Sequence, residues 1–157
     1  MTPPALRPAL DTLAAMSSDR QLVSSGSPFE ARVGFSRAVR VGERIFVAGT
    51  APIWPDGSVD GDAGVQARRC FEIIEQALTD AGSGLADIVR VRVYVVDAAD
   101  FDAVALVHAE LLGAIRPATT AVVAAALLDP RWKVEIEVEA VVPRTGRTSV
   151  RRRADSA

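Results

Sequence analysis

The stretch "KVEIEVEAVV" (133–142) sets Glu135, Glu137 and Glu139 at alternate positions. If it is a strand, the three carboxylates share one face, and Val134, Ile136, Val138 and Ala140 share the other. Like charges in a row repel unless water or partner cations receive them. A carboxylate drawn into a cleft can take a proton from water and act as a general base. Either all three face solvent or one of them points into a site. Arg90 and Arg92, on an earlier alternating run, could pair with some of them.

Two hydroxyls, Thr119 and Thr120, head the apolar run that precedes these glutamates. They suit an ordinary strand. They could also hydrogen-bond a neutral polar ligand, but they cannot replace a fixed positive charge. His108 is the single histidine. It falls on a helical stripe with Phe101, Val104, Ala105, Leu111 and Leu112, where a core-edge ring making one hydrogen bond and a proton shuttle are the two readings. With no second histidine and no helical His/Glu pair, the sequence offers no zinc site. Cys70, the single cysteine, lies on an apolar stripe and reads as a buried, inert thiol.

The elements that must hold these residues alternate along the chain. "SRAVRVGERIFVAGTAP" reads as a hairpin, with Gly42-Glu43 suited to a type II′ turn. "VQARRCFEIIEQALTDAG" reads as a helix whose stripe is Ala67, Cys70, Phe71, Ile74, Ala77, Leu78 and Ala81. Asp60 or Asp62 can cap it, Gly82 can end it, and Arg68 and Glu72 sit four apart as an exposed pair. "IVRVRVYVVD" alternates, with Val89, Val91, Val93 and Val95 on one face and Arg90, Arg92 and Tyr94 on the other. A second helix over "DFDAVALVHAELLG" is capped by Asp100 and closed by Gly113. Two strands follow, joined by "DPRW". The order ββαβαββ predicts a two-layer α+β domain with both helices on one sheet face. The second face is half polar, as on a solvated sheet or one that meets another subunit.

The chain of 157 residues is 49% hydrophobic, enough for one domain with a filled core. Its formal charge of −2 supplies no field to steer nucleic acid or membrane. One cysteine suits a reducing compartment, and no apolar run approaches a membrane span, so a soluble cytoplasmic protein is expected. Residues 1–21 are expected as an N-terminal extension in which "PALDTLAAM" could form a short helix. The turn-rich "SSDRQLVSSGSPFE" comes next, where "QLV" could begin a strand. Residues 144–157 are expected as a disordered basic tail.

In this order and spacing, "FSRAVRVGERIFVAGT", "AGSGLADIVRVRVYVVDAADFDAV", "RPATTAVV" and "KVEIEVEAVV" resemble the Rid family of reactive-intermediate deaminases, also called the YjgF family. The resemblance covers residues 22–143. It implies a chorismate-mutase-like fold, a mixed sheet of about six strands with two helices on one face. It also implies a homotrimer whose sheets meet centrally and whose clefts lie between subunits. The deaminases of the family hydrolyse small imines and enamines to ketone and ammonia, with no metal or organic cofactor.

Matched position by position, the resemblance implies a catalytic Glu137, the second glutamate of the VEIE motif, which would position the attacking water. It implies a cleft lined by Phe35, Gly49, Thr119, Thr120 and His108. Much of the deaminase pattern is replaced. Thr119 stands where the deaminases carry the arginine that holds the substrate carboxylate, Ala48 where they carry serine, and Phe35 where they carry tyrosine. Ala105 stands for an asparagine and His108 for an aromatic. Arg37 or Arg116 could supply a cation from another direction. The expected function is hydrolysis of a small imine-like electrophile without the usual carboxylate. The alternatives are a non-catalytic ligand-binding trimer and an endoribonuclease or translation-related role. Near-neutral charge and the lack of a basic patch with interleaved aromatics weigh against the last.

Overall fold

A computed structural model describes residues 20–143. The helix expected in "PALDTLAAM" and the basic tail lie outside the described residues. Strand β1 (Arg20–Val23) starts within the stretch expected as extension. Then come α1 (Pro28–Val33), β2 (Ala38–Val41), β3 (Arg44–Thr50), α2 (Ala63–Asp80), β4 (Ile88–Val95), α3 (Phe101–Leu112), β5 (Ala118–Val123) and β6 (Val134–Val141). They form one sheet in the order β1-β2-β3-β6-β4-β5, with β4 and β5 parallel and the other neighbours antiparallel.

Helix α1 was not expected, although its signals stand in the turn-rich stretch. Ser27 caps it by accepting from the Phe29 N–H, Pro28 occupies its first turn, and Gly34 ends it at φ 85°. Glu30 reaches back from α1 and is buried. It accepts from Ser24 Oγ (2.6 Å), Ser25 Oγ (2.6 Å) and Ser25 N–H (3.0 Å). Burial pushes this carboxyl up, but those bonds and the charge of Arg37 outweigh it and hold the carboxyl below its usual value.

The expected stripe of α2, from Ala67 to Ala81, is buried at every position. It packs on Ile45, Val47, Val91, Val93 and the inward residues of β6. Asp62 is its cap, accepting from the Val65 N–H at 2.9 Å. At its end Gly82 takes φ 77°, and the N–H groups of Ser83 and Gly82 reach Leu78 O and Thr79 O, a Schellman closure. Gly42, at φ 59°, makes the β2–β3 turn. Glu43 does not share the positive φ, which fits type II′.

Several expectations change. Arg68 bonds Glu110 on α3, while Arg69 takes Glu72, because the helix–helix seam offers Arg68 a nearer carboxylate. Asp100 makes no cap bond and instead receives Lys133 Nζ at 3.2 Å. Gly113 stays in the right-handed region, and Arg116 makes the left-handed step at φ 54°. On α3, Val107 joins Val104 and Leu112 in the core, while Phe101 is exposed. Val89 is 46% exposed. The register steps from Ile88↔Ala140 to Arg90↔Glu139, so Val89 is the extra residue of a β-bulge, and Ile88 turns inward in its place.

Candidate functional site

The site begins at a second bulge. Val47 pairs with Val138 and Thr50 with Ile136, so three steps on β3 face two on β6, and Ala48-Gly49 bow out. Arg37, just before β2, braces this bow from behind. Its Nη2 donates to Ala48 O (2.7 Å) and Gly49 O (2.6 Å), and its own carbonyl accepts the Ala48 N–H at 3.0 Å. Thr50 Oγ1 donates to Ala48 O at 2.9 Å, and the buried Cys70 thiol donates to Thr50 O at 3.1 Å.

Against the bow lies Glu135. A Cβ on Gly49 would fall onto Glu135 Oε1, so glycine here leaves room for that carboxylate and does not serve an unusual φ. The start of β6 is held by the buried Gln66. Its amide donates to Asp60 O (2.5 Å) and Arg131 O (2.9 Å) and accepts the Lys133 N–H at 2.7 Å. Glu135 is half-buried. Burial raises its carboxyl above the usual glutamate value, the charge of Arg37 pulls it down, and Glu137 pushes it up. This is the environment that gives a carboxylate the proton affinity of a general base.

The other two glutamates are held differently. Arg92 on β4 donates to Glu137 at 2.8 Å and pairs with Glu139 at 3.0 Å. One guanidinium therefore contacts two of the three carboxylates and offsets one of their two charges, and the third is left to the bulge. Arg90 stands opposite Glu139 in register. Glu137, the glutamate expected to be catalytic, is one that Arg92 engages; Glu135 is the one that faces a glycine across β3, and that facing depends on the bulge.

The remaining candidates fall into three places. Phe35 lines an open groove of about 600 Å³ with Leu22, Val39, Phe46 and Glu30, which ends at Ala48 of the bulge. Thr120 shares a ladder row with Arg92 and Glu137 on the face away from the helices. Thr119 is on the opposite face, in register with buried Val91, and its Oγ1 lies 3.0 Å from His108 Nε2. The Thr119 hydroxyl donates to Pro117 O at 3.1 Å, so His108 must be the donor to Thr119. Burial lowers the imidazole below its usual value, favouring a neutral ring, and the Phe71 ring meets it edge-on at 6.3 Å. One chain thus brings Gly49 to Glu135 and Thr119 to His108, and it separates the two pairs. Glu135 on β6 and Thr119 on β5 are two strand spacings apart, roughly 10 Å, and on opposite faces. Among the described residues, no three His, Cys, Asp or Glu side chains gather as a metal site, and no helix is long and apolar enough to cross a membrane.

The model of the family described as Endoribonuclease L-PSP matches residues 25–142. The uncharacterized protein SCO2049 of Streptomyces coelicolor is 40% identical over 119 residues, covering 75% of this chain and 89% of that protein. A RutC family protein of Pyrococcus abyssi is 41% identical over 109 residues, covering 68% of this chain and 84% of its own. Among solved structures, Rv2704 of Mycobacterium tuberculosis, described as a member of the YjgF/YER057c/UK114 family, is 46% identical with TM-score 0.73. That match covers 78% of this chain and 99% of Rv2704. Escherichia coli TdcF with bound serine is 25% identical with TM-score 0.66, over 78% of this chain and 94% of that one. A mixed six-stranded sheet with its helices on one face makes this an α+β protein, and the matches above place it in one family. The chain belongs to the YjgF (Rid, L-PSP) family.

Proposed function

We propose that this chain is a hydrolase of small imine- or enamine-like electrophiles that lack a carboxylate, working as a homotrimer with clefts between subunits. The observation that carries this reading is the half-buried Glu135 carboxyl, raised in proton affinity and seated on the Gly49 bulge. Glu135 takes the base role that sequence reasoning gave to Glu137, because Arg92 occupies Glu137. Glu135 accepts a proton from water as the water oxygen bonds to the imine carbon. That proton is returned to nitrogen, which takes the electron pair of the C=N π bond, giving a carbinolamine. The hydroxyl proton then passes by way of the same carboxylate to the amino group as the C–N bond breaks, so water and imine leave as ketone and ammonia. No cofactor enters these steps.

Two features support an intersubunit cleft. All six residues of the edge strand β5 are exposed. Thr119 can share a cleft with Glu135 only if a neighbouring copy brings it there, since within one chain it lies on the opposite face. The apolar outer face at Leu22, Val41 and Phe46 also calls for a covering subunit. The serine bound to the relative TdcF supports a ligand of amino-acid size. A neutral His108 bonded to Thr119 supports an uncharged ligand group at that end. The buried free thiol supports a cytoplasmic, reducing location.

Endoribonuclease activity, named in the family's description, is the second reading. The net charge of −2 weighs against it.

The test couples imine generation by an amino-acid oxidase to a trapping reagent, with the oligomer size checked by light scattering. Wild type is expected to hydrolyse 2-iminopropionate and 2-iminobutyrate weakly, and Thr119→Arg to gain activity. A charge-assisted hydrogen bond is worth ~1.5–3 kcal/mol, or roughly one to two factors of ten in rate. The gain is partial, because Ala105 and Phe35 remain. A monomer at micromolar concentration overturns the intersubunit cleft. If carboxylate-free imines are not turned over and Glu135→Gln changes nothing, the hydrolase reading gives way to a binding trimer. RNA cleavage that persists at rising salt would favour the second reading.

A further inference from the structure

We propose that Arg37 is a positioning residue for Glu135: its guanidinium braces the carbonyls of the Ala48-Gly49 bulge and fixes, through that bulge and through its charge, where and in what state the carboxyl sits. The inference rests on the base role proposed for Glu135. The placement of Arg37 is unusual for a structural arginine. One terminal nitrogen serves both bulge carbonyls, at 2.7 and 2.6 Å. Its Nε is buried with no partner among the described residues. No ion pair within contact distance joins it to a carboxylate among the described residues, yet Glu30 on one side and Glu135 on the other both act on its charge. A part-buried guanidinium shared by two carboxylates and bonded to neither holds a constant field behind the site and leaves the Glu135 oxygens free for water and substrate. A direct ion pair, like that of Arg92 with Glu137, would occupy them.

The groups that face Glu135 are known on each side. Arg37 lies behind the bulge, Tyr94 stands opposite on β4, Glu137 is two residues along β6, and the Cys70 thiol of α2 lies within its field. Arg92 is engaged by Glu137 and Glu139. Among these, Arg37 alone is a cation not in contact with a carboxylate.

The experiment follows the Glu135 side-chain carboxyl by carbon-13 NMR through a pH titration of the full chain, with the resonance assigned by its loss in Glu135→Gln. Arg37→Gln removes the charge and should move the midpoint up. Arg37→Lys keeps the charge but brings a shorter, flexible side chain without the rigid planar fork that holds Nη2 on both carbonyls. It should leave the midpoint near wild type while amide exchange in the Ala48–Thr50 segment speeds up. Arg37→Met takes the place of the glutamine variant if that variant does not fold. An unmoved midpoint in the neutral variant, or equal shifts in the neutral and lysine variants, overturns the proposal. The titration uses no substrate, so it separates the two readings. If the midpoint moves but no imine is turned over, the role of Arg37 stands and the hydrolase reading falls. If turnover depends on Glu135 and the midpoint is unmoved, the reverse holds.

Discussion

Glu135 and the pair Glu137 and Glu139 share one strand, one face and one residue type, yet they sit in opposite chemical settings. The pair meets a guanidinium directly, at 2.8 and 3.0 Å, on a part of the sheet that remains a third exposed. Such contacts settle charge and contribute little else. Among the described residues, no cation is in contact with Glu135. It lies on a glycine that leaves room for its oxygen, and its carboxyl is raised mainly by burial. The setting of each carboxylate on this strand is thus decided by its neighbour. Where arginine reaches it, its lone pairs are engaged, and where only a bulge reaches it they are not.

The largest expected effect breaks the comparison at Gly49. Gly49→Ala puts a methyl group where Glu135 Oε1 lies, and the flexible carboxylate must move away. Folding should survive, because the displaced atom is the end of a long side chain. Turnover should fall by roughly 100-fold or more, the usual worth of a positioned general base. Steady-state kinetics beside a thermal melt would check this, and an unchanged rate would remove Glu135 from the site.

A smaller effect is expected on the other side of the comparison. Arg92→Met leaves Glu137 and Glu139 repelling each other. The loss should be small, since the pairs are partly exposed, and it should shrink in high salt. Urea melts at low and high ionic strength measure it. A loss unaffected by salt would mean that Arg92 acts through packing.

The smallest effect sharpens the contrast through pH. A carboxyl whose folded proton affinity is raised gives stability that is fully present below the unfolded value of about 4.5 and lost as pH rises through the folded value. Glu135→Gln lacks that titration. The Tm of wild type relative to the variant should therefore decline as pH rises from about 4.5 toward neutrality. A difference that stays constant with pH would show Glu135 to be solvated like its neighbours.

Much of this was legible in the residues. Period-3.6 spacing marked the buried stripe of α2 from Ala67 to Leu78, though not the buried Ala63 and Gln66 of its first turn, and period-2 spacing marked the inward row of β6, because burial of a regular element repeats with its geometry. The Gly42 turn and the Asp62 cap were legible for the same local reason. Helix α1 was passed over because its cap, proline and glycine sat among residues that also form turns.

What the sequence by itself determined is the family, the element order and the presence of three glutamates on one strand face. What only the tertiary structure decided is which of the three is chemically distinct. Two bulges displace the alternation by one residue, at Val89 and at Ala48-Gly49, and a bulge leaves no periodic trace in one strand because it is a mismatch between two. The same holds for Arg37 and Arg92. Both are arginines on or beside strands, and only the folded sheet brings one into contact with carboxylates and sets the other behind a pair of carbonyls, where its charge reaches Glu135 without occupying it.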